Sequence, residues 1–126
     1  PEDAVKALDI GADAIIVSNH GGRQLDQTSS TISMLPKIVK AVKGKSAIWL
    51  DGGIRSGQDI LKAVALGADN TLIGRAMSYG LGANGLNGCE KALNILHTEL
   101  DMTMALCGHK NLKNVDDSIL KIKSDF

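Results

Sequence analysis

Residues 4–17, AVKALDIGADAIIV, and residues 60–73, ILKAVALGADNTLI, carry one pattern twice. In each copy an amphipathic stretch runs into a glycine, an Ala-Asp pair and a short apolar run. An internal repeat of this kind marks a supersecondary unit used more than once. In the first copy Ala4, Ala7 and Leu8 share a helical face, and Gly11 stands where a helix closes in a left-handed residue. Ile15, Ile16 and Val17 form a continuous β-branched run, which predicts a strand buried on both faces. The second copy repeats this with Ile60, Ala63 and Val64, then Gly67, then Leu72 and Ile73.

One further unit lies between the copies. Thr31 to Val42 reads as a helix with Ile32, Leu35, Ile38, Val39 and Val42 at helical spacing, and Pro36 is tolerable there only near the first turn. Gly44 closes it, and Ala47–Leu50 is another buried strand. Beyond the second copy, Asn87 to Cys107 places Leu93, Leu96, Leu100, Met104 and Cys107 on one helical stripe ending at Gly108, a core-facing helix. Asn114 to Lys123 reads as a short helix with Asp116 and Asp117 at its positive end. Strands alternating with helices predict a parallel sheet with right-handed crossovers. No linker or low-complexity stretch divides residues 1–126, so one structural unit is expected. Three such units fit either a small open α/β sheet or three-eighths of a barrel.

Composition narrows the function. The 126 residues are 44% hydrophobic and 22% charged with zero formal net charge, so electrostatics gives no reason to expect nucleic acid or an anionic membrane as partner. With one Trp, one Tyr and one Phe, the core must come from Ala, Ile, Leu and Val. Cys89 and Cys107 lack metal-ligand spacing and read as reduced, partly buried thiols of a cytoplasmic protein, and no metal site is expected. No apolar run approaches the roughly 20 residues that span a bilayer. The chain begins at Pro1 without Met, as a fragment or processed piece does.

In parallel α/β folds chemistry gathers at the carboxyl ends of the strands. The first end reads Ser18-Asn19-His20-Gly21-Gly22-Arg23-Gln24-Leu25-Asp26, the second Asp51-Gly52-Gly53-Ile54-Arg55-Ser56-Gly57, the third Gly74-Arg75-Ala76. The second is a glycine-rich turn before a helix, whose backbone N–H groups suit an anion at the helix N-terminus. Arg55 and Arg75 add two planar forks suited to phosphate oxygens, and barrels commonly build a phosphate site after their seventh and eighth strands. At the first end, His20 has the side chain whose ordinary pKa suits proton abstraction near neutral pH. Arg23 offers a bidentate fork for a carboxylate. A base and a carboxylate anchor beside a phosphate site are what oxidation of a small hydroxy acid on a phosphate-bearing cofactor requires.

SNHGGRQLD (18–26), followed by DGGIRSG (51–57) and then by LGAD (66–69) and IGRA (73–76), resembles the FMN-dependent α-hydroxy-acid dehydrogenases and oxidases. That family includes flavin-type L-lactate dehydrogenase, glycolate oxidase, lactate oxidase and mandelate dehydrogenase. The resemblance runs from Pro1 to about Gly108. It implies a (β/α)₈ TIM barrel of which this chain is the C-terminal portion, strands 6 to 8 with their helices. It further implies FMN as cofactor, His20 as the base, and Arg23 holding the substrate carboxylate. Asp51, Gly52, Gly53 and Arg55 match ribityl and phosphate contacts, and Gly74 and Arg75 complete the phosphate site. The implied reaction converts a small L-2-hydroxy acid, L-lactate by default, to the 2-oxo acid. The implied whole is a homotetramer in the cytoplasm, or on the inner-membrane surface for a respiratory-chain dehydrogenase.

The family also uses an aspartate paired with the histidine, a lysine near the flavin, and tyrosines near the substrate, all on earlier strands. Little or no turnover is therefore expected from this chain without the N-terminal part of the barrel. The competing reading is a catalytically inactive flavin- or phosphate-binding half-barrel. Other FMN barrels, such as type 2 isopentenyl diphosphate isomerase or a glutamate synthase domain, are not expected to carry His20 and Arg23 in this setting. Elsewhere, His97 and His109 read as surface or capping residues, Trp49 as packed on the helix layer, and Asp26 as an ion-pair partner pinning Arg23.

Overall fold

The Ala-Asp repeat is a structural repeat, and its glycines show why. In the computed structural model, which describes residues 1–42 and 44–121, helix α1 (Glu2–Asp9) ends with Gly11 at φ 100°. Gly11 N donates to Leu8 O at 2.9 Å and Ala12 N to Ala7 O at 3.0 Å, the paired bonds of a Schellman cap. Helix α3 (Gly57–Ala65) ends identically: Gly67 has φ 99°, Gly67 N donates to Val64 O, and Ala68 N to Ala63 O. After each cap the chain enters a strand, β1 (Ala14–Val17) and β3 (Asn70–Leu72) respectively. Helix α2 (Thr31–Val42) and strand β2 (Ala47–Asp51) lie between them.

The three strands are parallel in the order β1-β2-β3. Ala14 to Val17 stand opposite Ala47 to Leu50, and Trp49 to Asp51 opposite Asn70 to Leu72. Asp69 ties β2 to β3 ahead of the ladder. Its Oδ2 accepts from Ile48 N at 2.7 Å and its own N–H donates to Ile48 O at 2.7 Å. Val17, Ile48 and Leu50 point to one side, where Leu35 and Val42 of α2 and Ala63 of α3 bury them, with Ala4 and Leu8 of α1 packed at the margin.

On the opposite side of the sheet the described residues supply no cover: Ile16 is 53% exposed, and Ala14 and Ala47 are exposed beside it. One expectation is corrected there. Trp49 does not pack on the helix layer. Because neighbouring strand residues alternate sides, it lies opposite to Ile48 and Leu50, and its indole N–H donates to the Asn70 side-chain oxygen at 3.3 Å once that amide is turned to face it. A continuous apolar run marks burial but does not say which partner supplies it.

Helix α4 (Arg75–Leu106) begins earlier than the apolar stripe predicts, directly after β3, and breaks at Asn84 and Gly85. Its two arms meet where Gly80 and Gly88 lie so close that a β-carbon on either would strike the other's carbonyl. Leu96 is buried and Leu100 and Met104 half-buried against α3, whereas Leu93 is 46% exposed and Cys107 is exposed. The stripe is therefore narrower than predicted. Among the described residues no helix is long and apolar enough to cross a membrane.

Pro36 sits in the second turn of α2 rather than the first, with its ring exposed. The helix expected at 114–123 is instead a pair of 3₁₀ turns, Leu112–Asn114 and Asp117–Ile119; Ile122 and Lys123 lie outside the described residues. Asn111 accepts from Lys113 N and Asp116 from Ser118 N, so two side-chain caps five residues apart leave room for one turn each. The bonds from Ser118 hold the Asp116 carboxyl below the ordinary carboxylate range.

The α3–α4 contact yields one expected result. Gly57 is buried, and a β-carbon there would collide with the backbone of Glu99 and Leu100. Backbone cannot swing aside as a flexible side chain can, and Gly57 N also donates to Glu99 Oε2 at 2.9 Å. Gly57→Ala is expected to cost about 3 kcal/mol of stability, the upper end of ordinary overpacking. A thermal melt of the variant that matches wild type would contradict this.

Candidate active site

The three strand ends meet in one place. Ser18 to Asp26 follow β1, Asp51 to Ser56 follow β2, and Gly74 opens α4 directly after β3. His20, Arg23, Asp51, Gly52, Gly53, Arg55, Gly74 and Arg75 all line a single cleft of about 200 Å³. The structure thus brings together every site residue named from the sequence.

The first loop is built around its backbone. His20, Gly21 and Gly22 form a 3₁₀ turn with φ of 57°, 67° and 74°. Three successive left-handed residues explain the two glycines, since a side chain is costly there. Asn19 holds both sides of the loop: Oδ1 accepts from Gly22 N at 3.2 Å and Nδ2 donates to Ser29 O at 3.4 Å. The Ser18 hydroxyl donates to Asp51 Oδ2 at 2.6 Å and accepts from His20 N at 3.1 Å. His20 itself is exposed to the cleft side of the molecule. An Arg75 guanidinium nitrogen lies over this turn, 3.8 Å from where a β-carbon on Gly21 would stand, an ordinary contact distance.

The second loop limits how its helix could serve an anion. The sequence suggests the helix after Asp51-Gly52-Gly53 as the one that receives an anion, and that helix, α3, is closed. Ser56 and Asp59 form a capping box, and Asp59 Oδ2 accepts from Arg55 N, Ser56 N and Ser56 Oγ at 2.9–3.1 Å. Glu99 takes Gly57 N as well. Two carboxylates already satisfy that terminus and would repel a phosphate.

The open terminus is that of α4. Its N-cap is Gly74, which supplies no side-chain cap. The first helical bond of α4 recorded into Gly74 O comes from Ser78 N, so the N–H groups of Arg75, Ala76 and Met77 precede it. This positive helix end faces the same cleft as Arg55 and Arg75. Gly52 (φ 101°) and Gly53 (φ 86°) complete the wall. The place of Gly52 is fixed by Thr31, which is buried, donates to Gly52 O at 3.2 Å, and would be 3.3 Å from a β-carbon on Gly52.

Sequence reading missed Ser18, Asn19, Thr31, Asp59 and Glu99 as builders of the site. Small polar residues flanking a strand-end histidine, and a serine three residues before an aspartate at a helix start, carry a usable local signal. Glu99, 42 residues from Gly57, carries none. The expected Arg23–Asp26 ion pair is not formed; among the described residues the side-chain ion pair is Lys6–Asp3. His97 is exposed on α4, and His109 follows the Gly108 cap, with its N–H donating to Met104 O at 2.9 Å. Cys89 is half-buried and Cys107 exposed, both as free thiols.

Known proteins resemble the chain in sequence and fold. A family model described as FMN-dependent dehydrogenase matches residues 1–122. The chain is 52% identical over 120 residues to a 2-hydroxyacid oxidase of Dictyostelium discoideum, covering 95% of this chain and 31% of that protein. It is 48% identical over 121 residues to an L-lactate oxidase of Nostoc sp., covering 96% of this chain and 33% of that one. A crystal structure of mandelate oxidase with benzoyl-formic acid superposes with a TM-score of 0.86 at 48% identity, covering 89% of this chain and 33% of the other. The chain spans about a third of the length of the curated relatives it matches.

Proposed function

The chain belongs to the FMN-dependent dehydrogenase family, whose cofactor is FMN, and from that premise we propose that it forms the phosphate and base side of an active site oxidising small L-2-hydroxy acids. The observation that carries the reading is the convergence of His20, Arg23, Arg55 and Arg75 on one cleft at the strand ends. His20 takes a proton from the substrate, and Arg23, three residues away on the same loop, holds its carboxylate. L-lactate is the default substrate; relatives are named as lactate and 2-hydroxyacid oxidases.

The residues present fit the phosphate end of FMN. Two arginines, an uncapped helix N-terminus and the open backbone of Gly52 and Gly53 form an anion cradle, and Asp51 offers a carboxylate to hydroxyls of the ribityl chain. Bound FMN supplies the acceptor for the two electrons removed from the substrate. A cleft of about 200 Å³ is below the 300–1,000 Å³ usual for ligand pockets, so the flavin ring needs walls beyond these. The three parallel strands are accordingly assigned as strands 6 to 8 of a (β/α)₈ barrel, with the bare face bearing Ile16 and Trp49 turned to its interior.

The test uses the full-length protein with oxidised flavin under argon. L-lactate, glycolate or mandelate is expected to bleach the visible flavin spectrum, and peroxide formed on admitting air would mark an oxidase. Loss of colour with none of them removes the proposal. One observation favours a narrower role for the 126 residues alone. Among the described residues, the carboxylate linked to His20, Asp51, reaches it only through Ser18 and the His20 backbone N–H, which leaves the imidazole without a carboxylate to stabilise it once protonated. The isolated chain is expected to show little or no turnover, measured by dye reduction with L-lactate.

A further inference from the structure

We propose that Ser18 is a positioning residue that couples the base to the cofactor-side carboxylate. The inference rests on the function proposed for His20 and Asp51. A serine hydroxyl has one proton and free lone pairs. Asp51 as a carboxylate only accepts, so the Ser18 proton is committed to Asp51 Oδ2, at 2.6 Å, and the Ser18 oxygen is left to accept from His20 N at 3.1 Å. Both bonds therefore have a fixed direction.

The consequence falls on a residue that needs support. His20 is one of two non-glycine residues with positive φ among the described residues, at 57°, a conformation uncommon outside glycine, which histidine enters more readily than most residues and which local hydrogen bonds then hold. The bond to Ser18 holds the His20 N–H, while Asn19 holds Gly22 N two residues on. Together they fix the direction in which the imidazole leaves the backbone. On the other side, Ser18 occupies Oδ2 of Asp51 and leaves Oδ1 for a hydroxyl of the cofactor. Placement of the cofactor-side carboxylate and of the base is thereby shared through one oxygen atom, although the two lie 31 residues apart in sequence, at the ends of neighbouring strands.

The test compares Ser18→Ala, Ser18→Thr and Ser18→Val in the full-length, flavin-loaded protein. Thr keeps the hydroxyl and Val is its isostere without one, so steric effects cancel between them. Ala and Val are expected to lower kcat about 10-fold, the scale of one lost hydrogen bond in a preorganised site. Thr is expected to recover it to within about threefold. Affinity for the 2-oxo acid product, read from its perturbation of the flavin spectrum, should stay within about twofold in all three, because Arg23 is untouched. In flavin-free protein, hydrogen exchange at the His20 amide should speed up in Ala and Val but not in Thr. Equal kcat in Thr and Val, or unchanged exchange in Ala, overturns the proposal. A wild-type protein whose flavin no 2-hydroxy acid reduces overturns the functional reading first, and the role of Ser18 with it.

Discussion

His20→Asn in the full-length protein is expected to slow flavin reduction by a 2-hydroxy acid by about 10⁴-fold, the upper range for loss of a positioned general base. That corresponds to about 5 kcal/mol of barrel-site transition-state stabilisation. Asparagine is chosen because it tolerates the left-handed conformation better than most residues, so the φ of 57° at this position is no obstacle to folding. The Ser18 bond to the backbone N–H survives, since it uses no side-chain atom of His20. The phosphate cradle is built by other residues, and the variant should remain yellow. Anaerobic stopped-flow measurement of flavin absorbance decides the matter. A loss of less than tenfold would remove His20 from the role of base.

The second large effect belongs to the two arginines. Arg55→Ala combined with Arg75→Ala is expected to weaken FMN binding by about 10²–10⁴-fold, taking roughly 1.5–3 kcal/mol for each hydrogen bond to a charged group. Arg75→Ala alone should account for the larger share. Arg75 stands in the first turn of the uncapped α4, where the helix end already favours an anion, and it reaches over Gly21. Arg55 precedes a helix whose N-terminus is satisfied by Asp59 and Glu99. Riboflavin, which lacks the phosphate, is the control. Its affinity should be unchanged by either substitution, whereas a parallel loss of FMN and riboflavin would show that the arginines support the fold rather than the phosphate.

Much of the fold was legible because it rests on local rules. The glycines at 11, 67 and 108 each cap a helix in left-handed conformation, and the segments that follow the Ala-Asp pairs after the first two are strands. The convergence of the eight candidate residues on one cleft was legible for a related reason: strand ends in parallel sheets converge in space, while the roles expected of those residues came from the family resemblance. Partners fixed by contact were not legible. The apolar run of β1 could not reveal which of its faces the helices of this chain cover, and the stripe on α4 gave no warning of the break at Asn84–Gly85 or of the Gly80–Gly88 crossing.

The sequence by itself determined the alternation of helices and strands through the third strand, the strand ends and the candidate residues at them, since periodicity, glycine position and side-chain type are properties of the chain. Only the tertiary structure decided which helix end is open to an anion. The glycine-rich turn before α3 reads as the anion site, yet Asp59, three residues past Ser56, and Glu99, on a distant helix, close it. The open end is Gly74, beside the Arg75 that the sequence already offers to an anion; that its backbone N–H groups are uncapped is decided by folding, because whether a backbone N–H is free depends on every acceptor brought within reach.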